Sequence, residues 1–146
     1  DPEQVQFRYR DMLWEGSDLA ALGVASFGHL SGVHYQNKTH WDEYLASVEA
    51  GQLPIHRGLA ASSRELLTRE LILGLKKGSV DIARLTAKFG VDPLAEWASI
   101  WQGLADEGYL EPLQDTSPPR LTRRGLLEVD ALLPRFFPAE LAAGRA

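Results

Sequence analysis

The sequence contains no cysteine in its 146 residues, and this absence excludes several classes of site at once. Disulfide bonds, zinc–thiolate sites and cysteine-bound iron–sulfur clusters are all excluded within the chain. An excess of positive charge is also missing, because 20 acidic residues outnumber 15 lysines and arginines. Proteins that bind nucleic acid through phosphate contacts need a basic surface. We therefore expect no nucleic acid among the partners of the chain.

Long apolar runs and targeting signals are absent as well. No run approaches the roughly 20 residues that a membrane-spanning helix needs, so we expect no membrane partner. The amino terminus has no initiator methionine, and it lacks the basic and apolar regions of a signal peptide. We expect the chain to be part of a longer, cytoplasmic polypeptide. Its 45% hydrophobic and 24% charged residues are typical of an ordered globular protein.

The first 38 residues combine a short helical pattern with a short apolar run. The run from Leu19 to Phe27 is too brief for a helix and predicts a buried strand of the kind found in parallel sheets. A lone strand of this kind leaves both of its edges unpaired. We therefore expect it to belong to a larger sheet, or to form a dimer through this exposed strand.

From Thr39 onward the pattern predicts helices that are separated by glycine and proline. Thr39 is the predicted N-cap of the first helix, and residues 52–61 are predicted to be a connector. Ser62 and Glu65 have capping-box spacing and predict the start of a second helix. A third helix is expected to start at Ser79 and end at Gly90.

The remaining residues predict a helix, a hairpin and a last helix. Asp92-Pro93 is an N-cap followed by proline at the first helical position. The helix that it opens carries an apolar stripe of Trp97, Ile100, Trp101 and Leu104, which we expect to form the core. Residues 109–113 and 120–122 predict a β-hairpin, and a final helix is expected to turn Leu126, Val129 and Leu133 inward. This order of elements is typical of a winged-helix domain.

A winged helix often binds DNA, but the exposed side chains here argue against that function. The helix from Asp92 to Glu107 would enter the major groove in such a complex. Its polar face is acidic and would repel phosphate; it carries Glu96, Ser99, Gln102, Asp106 and Glu107. Only the arginines near the hairpin, Arg120, Arg123 and Arg124, favour DNA. A winged-helix fold alone is not evidence for DNA binding. Because the helix that would enter the groove is acidic, DNA binding is disfavoured.

Neighbouring histidines and serines offer two further sites on paper. His29, His34 and His40 are separated by five and six residues, which matches no ligand repeat on a helix or strand. We therefore interpret them as loop histidines that make ordinary hydrogen bonds. Ser26 or Ser31 could join them in a hydrolytic triad, but no Gly-x-Ser-x-Gly motif is present to expose a nucleophile.

The glycine-rich stretch over residues 23–32 allows two interpretations. It is either an apolar strand that ends in a flexible turn, or the end of a barrel strand whose loop admits a ligand. Residues 22–37, LGVASFGHLSGVHYQN, resemble the segment that leaves the radical S-adenosylmethionine (SAM) barrel in oxygen-independent coproporphyrinogen III oxidases. Further motifs follow in the order of that family: an aromatic helix over 41–50, Gly51-x-Leu53-Pro54, Arg57-Gly58, residues 69–75, Lys88-Phe89-Gly90, Leu104-x-x-x-Gly108-Tyr109-Leu110 and Leu121-Thr122-x-x-Gly125.

The resemblance implies a division of labour within a longer enzyme. In that family an N-terminal partial barrel binds a [4Fe–4S] cluster through three cysteines, cleaves SAM, and converts coproporphyrinogen III into protoporphyrinogen IX in heme biosynthesis. This chain would be the C-terminal region of such an oxidoreductase, with no catalytic residue and no bound cofactor of its own. Its partners would be the barrel of the same polypeptide and a porphyrinogen or heme substrate. The implied fold is mainly α (α+β): residues 1–38 form a helix–strand remnant of the barrel, and residues 39–146 form a helical winged-helix-like domain.

The resemblance also implies positions for site residues. Five residues are expected to lie close to ligands. Ser26, Phe27 and Gly28 are expected near SAM or substrate, and His29 and Arg57 are expected to bind the substrate. Arg123 and Arg124 are further candidates for pairing with tetrapyrrole carboxylates, because guanidinium groups bind carboxylates bidentately. Residues 35–37 are expected to have a structural role. Two alternatives stay open: a heme chaperone or heme-utilisation relative, and a winged-helix module that mediates protein contacts.

Overall fold

The computed structural model describes residues 8–112 and 118–138, and the chain divides into two compact units. One unit comprises residues 17–66, and the other combines the segment before residue 17 with residues 67 onward. The elements in chain order are α1 (Arg8–Trp14), β1 (Phe27–Leu30), β2 (Val33–Asn37), α2 (Trp41–Glu49), β3 (Ile55–Ala60), α3 (Ser63–Lys76), α4 (Ile82–Phe89), α5 (Pro93–Glu96), α6 (Ala98–Asp106), α7 (Arg123–Leu127), α8 (Val129–Leu132) and a 3₁₀ helix (Leu133–Phe136). Predominantly helical content with one small antiparallel sheet confirms the predicted α+β class.

The unit of residues 17–66 is built around a three-stranded antiparallel sheet in the order β1-β2-β3. Ser31 and Gly32 join β1 to β2 as a two-residue turn, and both have positive φ, at 49° and 79°. Positive φ at both central positions is the requirement of the type I′ turn, whose twist matches that of a hairpin. The register between β2 and β3 shifts at Gln36/Asn37, where a bulge interrupts the ladder.

The predicted buried strand over residues 19–27 is wrong. Leu19 makes one antiparallel bridge with His29, and a regular strand begins only at Phe27. Gly23 and Ala25 have φ of 96° and 59°, and such left-handed residues break an extended strand. The sheet is antiparallel, so the interpretation of a parallel-sheet strand is also wrong. The dimer predicted through this segment stays a prediction.

The connector predicted over residues 52–61 contains β3, which was missed. All six residues of β3 are exposed, and the strand lies at the edge of the sheet. This edge strand buries neither face, so its sequence, which includes polar side chains and Gly58, lacks the apolar pattern that predicts a strand. The predicted cap of α2 is also wrong by one residue, since His40 and not Thr39 precedes the helix.

The second unit packs its helices around one apolar core. The predicted stripe is confirmed: Trp97, Trp101 and Leu104 are buried, and Ile100 packs partly buried against them. The core also includes residues from α3, α4, the bridge region and the C-terminal turns: Leu67, Leu71, Leu75, Val80, Leu85, Tyr109, Leu110, Leu121, Leu132, Leu133 and Phe136. Leu126 was predicted to point inward and is exposed instead.

Local capping signals explain most helix boundaries. The capping box opens α3 as predicted, with the Ser62 backbone N–H donating to Glu65 Oε2 at 2.7 Å. The Asp92 carboxylate accepts from the Leu94 N–H at 2.9 Å, which confirms the predicted cap of α5. Asp81, and not Ser79, caps α4. The single helix predicted after Asp92 is split at Trp97 into α5 and α6.

Isolated bridges replace the predicted hairpin strands. Leu110 pairs with Leu121, and Ser79 pairs with Arg120, each in a single antiparallel bridge. Residues 113–117, which contain most of the predicted turn, lie outside the described residues. The two compact units also divide the chain elsewhere than at residue 38, so the assignment of residues 1–38 to a barrel remnant stays a prediction.

A buried carboxylate ties three segments of this unit together. Glu70 in α3 is 4% exposed and accepts from Arg84 Nη1 at 2.8 Å and from Lys88 Nζ at 2.5 Å. Gly16 approaches it so closely that a Cβ there would lie 2.5 Å from Glu70 Cδ. Two cationic partners offset the cost of burying this charge, which an unpaired carboxylate would leave uncompensated.

Candidate ligand-binding face

One face of the sheet in residues 17–66 brings together most of the residues that the sequence indicated. Residues directly opposite each other in an antiparallel ladder point to the same side of the sheet. The register pairs Phe27 with Gln36 and Gln36 with Arg57, and it pairs His29 with His34 and His34 with Leu59. These two rows form what we call the Arg57 face: Phe27, His29, His34, Gln36, Arg57 and Leu59.

Arg57 is the fixed cation of this face. Its Nε donates to Gln36 Oε1 at 2.9 Å, and the buried Gln36 amide in turn donates from Nε2 to the Ala25 carbonyl at 3.3 Å. Within the described residues the terminal Nη groups of Arg57 have no hydrogen-bond partner, and the side chain is exposed. The Nε bond to Gln36 therefore fixes the orientation of the guanidinium. Its two Nη groups form a fork that stays available to a carboxylate.

Two histidines and an aromatic ring share this face with the arginine. His29 and His34 lie side by side, with ring centroids 4.3 Å apart and Nδ1 atoms 3.3 Å apart. His29 is buried at 7% exposure, whereas His34 is exposed. Phe27 begins β1 and is 65% exposed, so its ring offers apolar surface beside the polar groups. This arrangement can bind a flat apolar molecule that carries a carboxylate.

Gly28 points to the opposite face, where its missing side chain has a structural cause. The ring of Tyr35 covers it, and a Cβ at Gly28 would lie 2.3 Å from Tyr35 Cζ. The Tyr35 hydroxyl accepts from the Ala21 N–H at 2.8 Å, which fixes the ring. Ser26 precedes the strand and donates its hydroxyl to the Leu22 carbonyl at 2.8 Å. Ser26 and Gly28 thus have packing and turn contacts that separate them from the Arg57 face.

The loop before β1 is held by side chains from the elements that follow. Asn37 donates from Nδ2 to the carbonyls of Ala21 and Gly23, at 3.2 and 3.0 Å. The Tyr44 hydroxyl accepts from the Gly23 N–H at 3.0 Å. Tyr35 and Gln36 bind the same loop, as expected of structural residues. Tyr44 was missed, because its helical spacing indicated only a packing position.

The prediction of loop histidines is wrong for His29 and His34, which lie in β1 and β2. His40 occupies the N-cap position of α2 without a side-chain capping bond, and no three His, Cys, Asp or Glu residues converge as a metal site in the described part of the chain. The Ser31 N–H donates to both carboxylate oxygens of Asp18 at 3.1 Å, so Ser31 belongs to the hairpin turn. In residues 8–112 and 118–138 no helix is both long and apolar enough to cross a membrane.

Arg124 of the other unit is occupied by its own neighbours. Its guanidinium lies 4.5 Å from the Tyr109 ring centroid and bonds Glu128 Oε1 at 3.3 Å, and both contacts hold it at the surface of that unit. The Tyr109 hydroxyl donates to Glu128 Oε2 at 2.8 Å, which raises the pKa of Tyr109 and lowers that of Glu128. The bidentate contact from Arg135 lowers the pKa of Glu107. This cluster binds its own carboxylates and offers less to a ligand than Arg57.

Comparison with known proteins gives relatives of a single kind. No family model matches the chain. It is 29% identical over 133 residues to an oxygen-independent coproporphyrinogen III oxidase of Pseudomonas aeruginosa, a match that covers 84% of this chain and 28% of the relative. It is 31% identical over 72 residues to the oxidase of the same name from Helicobacter pylori, covering 49% of this chain and 16% of that protein.

A solved structure agrees with these relatives. The chain superposes with a TM-score of 0.66 and 20% identity on the coproporphyrinogen III oxidase of Escherichia coli, a radical SAM enzyme, and the match covers 82% of this chain and 28% of that one. The chain therefore spans less than a third of the length of the proteins that it matches. The resemblance predicted from its motifs is confirmed, and the chain is related to the oxygen-independent coproporphyrinogen III oxidases.

Proposed function

We propose that this chain is the C-terminal region of a radical SAM protein of the oxygen-independent coproporphyrinogen III oxidase type. The parent protein would carry out the oxidative decarboxylation of coproporphyrinogen III to protoporphyrinogen IX, in the cytoplasm, as a step of heme biosynthesis. The observation that carries this proposal is the relationship over 84% of the chain to an oxidase of that name. The contribution of the chain is to line the rim of the substrate cavity.

The residues of this chain do not fit an iron–sulfur cluster. A [4Fe–4S] cluster is held by cysteine thiolates, and the sequence contains none. The cluster and SAM would therefore be bound by an N-terminal barrel of the same polypeptide. We assign the chain no step of radical formation, and it is not an enzyme by itself.

The Arg57 face is the part of the chain that we propose contacts the substrate. A porphyrinogen combines an apolar macrocycle with propionate carboxylates. The face offers an aromatic ring for the macrocycle and a guanidinium group for a carboxylate. The available fork of Arg57 would bind one carboxylate, and the exposed ring of Phe27 would contact the macrocycle or SAM. His29, on the same face of β1 as Phe27, would be a further polar contact. Gln36 positions Arg57 and does not itself need to touch the ligand.

The test is a binding defect in the full-length polypeptide, purified anaerobically with its cluster reconstituted. Arg57→Gln removes a charge-assisted hydrogen bond, which is worth about 1.5–3 kcal/mol, or roughly 10- to 150-fold in affinity. We expect the KM for coproporphyrinogen III to rise within that range while the melting temperature stays unchanged. Arg57→Lys should recover only part of the loss, because an ammonium group lacks the fork.

A matched surface arginine provides the control for this experiment. Arg123 is exposed in α7, so Arg123→Gln should leave the KM unchanged. An unchanged KM in Arg57→Gln would remove Arg57 from the site, and a raised KM in Arg123→Gln would move the carboxylate contact to the other unit. A parent protein that binds heme and cleaves SAM but forms no vinyl product would instead be a heme chaperone or heme-utilisation relative.

A second candidate function rests on the order of elements in the second unit. The order of these elements is that of a winged helix. They are helix α3, the bridge at Ser79, helices α4 and α6, and the bridge between Leu110 and Leu121. A winged-helix module that mediates protein contacts would have this order without a tetrapyrrole ligand. Porphyrinogen turnover that is unaffected by every substitution on the Arg57 face would favour it.

A further inference from the structure

Two histidines are paired on the Arg57 face, and the proposed function uses only His29 and not the pairing. His29 on β1 and His34 on β2 are direct partners in the ladder, two residues from the closing turn on each side. The type I′ turn at Ser31 and Gly32 fixes the register, because slipping by one residue would send one histidine to the opposite face. The hairpin therefore holds both imidazoles on one face.

The distance between the Nδ1 atoms of the two histidines fits two ligands of one tetrahedral metal ion. Imidazole nitrogens bind zinc at 2.0–2.1 Å, so two of them on a tetrahedral ion lie about 3.3 Å apart. The Nδ1 atoms of His29 and His34 are 3.3 Å apart. The same distance also allows a hydrogen bond between the rings, so a metal ion would replace the proton that the two nitrogens share. The two nitrogens are thus at the separation of two ligands of one metal ion.

We propose that His29 and His34 form a two-nitrogen site for a divalent transition-metal ion such as Cu²⁺, Ni²⁺ or Zn²⁺. Both Nδ1 lone pairs would face the ion, with the ring hydrogens on Nε2, so that the metal takes the place of the proton between the rings. Among the described residues no group of three His, Cys, Asp or Glu could hold a metal ion, so solvent would complete the coordination of the pair. The site needs neither Arg57 nor a cofactor, and His29 is the residue that it shares with the porphyrinogen proposal.

The surroundings and the ligand type predict which ions bind best. The carboxylate of Glu65, in the same unit, interacts electrostatically with His34, and its negative charge favours a cation nearby. Imidazole ligands follow the order of affinity in which Cu²⁺ exceeds Ni²⁺ and Zn²⁺. A bound ion would also cross-link β1 to β2 and close the hairpin, which stabilises the folded state by ligand linkage.

The chain has four histidines, so four single variants test the assignment completely. The full chain, purified without an affinity tag, is titrated with Cu²⁺ by calorimetry and by electron paramagnetic resonance. We expect one Cu²⁺ per chain with a spectrum of two nitrogen ligands, and a higher melting temperature with Cu²⁺, Ni²⁺ or Zn²⁺. His34→Gln and His29→Gln should each lose the two-nitrogen spectrum and the thermal shift, whereas His40→Gln and His56→Gln should keep both.

His34→Gln decides the experiment, because His34 is exposed and its replacement leaves the core intact. A metal-free melt of each variant shows whether it is folded, which matters for the buried His29. A two-nitrogen spectrum that persists in folded His34→Gln would overturn the proposal. Loss of that spectrum in His40→Gln or His56→Gln, or a wild-type chain that binds no Cu²⁺ stoichiometrically, would overturn it as well.

Discussion

Trp101 provides the most direct test of the core assignment. Its side chain is 2% exposed, its ring centroid lies 4.9 Å from that of Phe136, and its indole Nε1 donates to the Pro93 carbonyl at 3.0 Å. Trp101→Ala removes this packing and leaves a cavity, which costs about 3–5 kcal/mol in a rigid core. For a chain of this length that loss corresponds to a fall in melting temperature of roughly 10 °C.

A graded variant separates packing from hydrogen bonding at this position. Trp101→Phe keeps most of the ring and loses the indole N–H. The Pro93 carbonyl retains its contact from the Trp97 N–H at 3.3 Å, so no buried acceptor is left unpaired. We therefore expect Trp101→Phe to cost about 1 kcal/mol for the hydrogen bond plus a smaller packing loss. Its stability should lie between the wild type and Trp101→Ala.

An exposed tryptophan supplies the control, and circular dichroism in urea is the assay. Trp41 begins α2 and is 62% exposed, so Trp41→Ala should change the free energy of unfolding by only about 0.5 kcal/mol. The signal at 222 nm is preferable to fluorescence, because every variant removes a fluorophore. Equal losses in Trp101→Ala and Trp41→Ala would refute the reasoning that places the core around α6.

Two further predictions concern the unit of residues 17–66. Gly28→Ala would place its Cβ 2.3 Å from Tyr35 Cζ and should lower the free energy of unfolding by about 1–3 kcal/mol, whereas Gly58→Ala, with nearest neighbours at 3.6 Å, should be nearly neutral in the same urea experiment. The Ser62 backbone N–H and hydroxyl lower the pKa of Glu65 below 4.5, so this carboxylate stabilises the fold above its unfolded pKa and loses that effect as the pH falls through the folded value. In Ser62→Ala the Glu65 pKa, followed by NMR titration, should return only partway to 4.5 because the backbone contact remains; an unchanged pKa would show that the hydroxyl contributes nothing.

Features that depend on neighbours in the sequence could be predicted. The capping box at Ser62 and Glu65 and the cap at Asp92 need only three or four residues, and both are confirmed. The stripe through Trp97 and Trp101 follows the period of a helix that buries one side, and it identified the core. Such signals do not depend on where other segments lie, which is why these helix boundaries and the core of the second unit could be predicted.

Strand pairing could not be predicted from local pattern. The run before Phe27 is apolar enough for a buried strand, but left-handed residues at Gly23 and Ala25 turn it into a loop. The strand β3 pairs with β2, although helix α2 separates the two strands in the sequence. The exposed faces of β3 carry no alternation of polar and apolar residues. Both errors arise because hydrogen bonds to distant residues, and not the side chains of the segment itself, determine which residues become strands.

The same limit explains why the candidate site residues were predicted as one stretch and were not assigned to the two faces of the sheet. Resemblance indicated Ser26, Phe27, Gly28 and His29 as one continuous stretch, whereas a strand sends alternate side chains to opposite faces. The register places Phe27 and His29 with Arg57 and turns Gly28 toward Tyr35.

This alternation gives neighbouring residues different consequences when they are changed. A substitution at Gly28 must act through the fit of the hairpin, so any loss of function should follow the loss of stability. A substitution at Arg57 removes an exposed fork whose contact inside the unit is the single Nε bond to Gln36, so function should fall by more than stability. The position of a residue along β1 is therefore less informative about its role than the face to which it points, and that face is determined by the turn at Ser31 and Gly32.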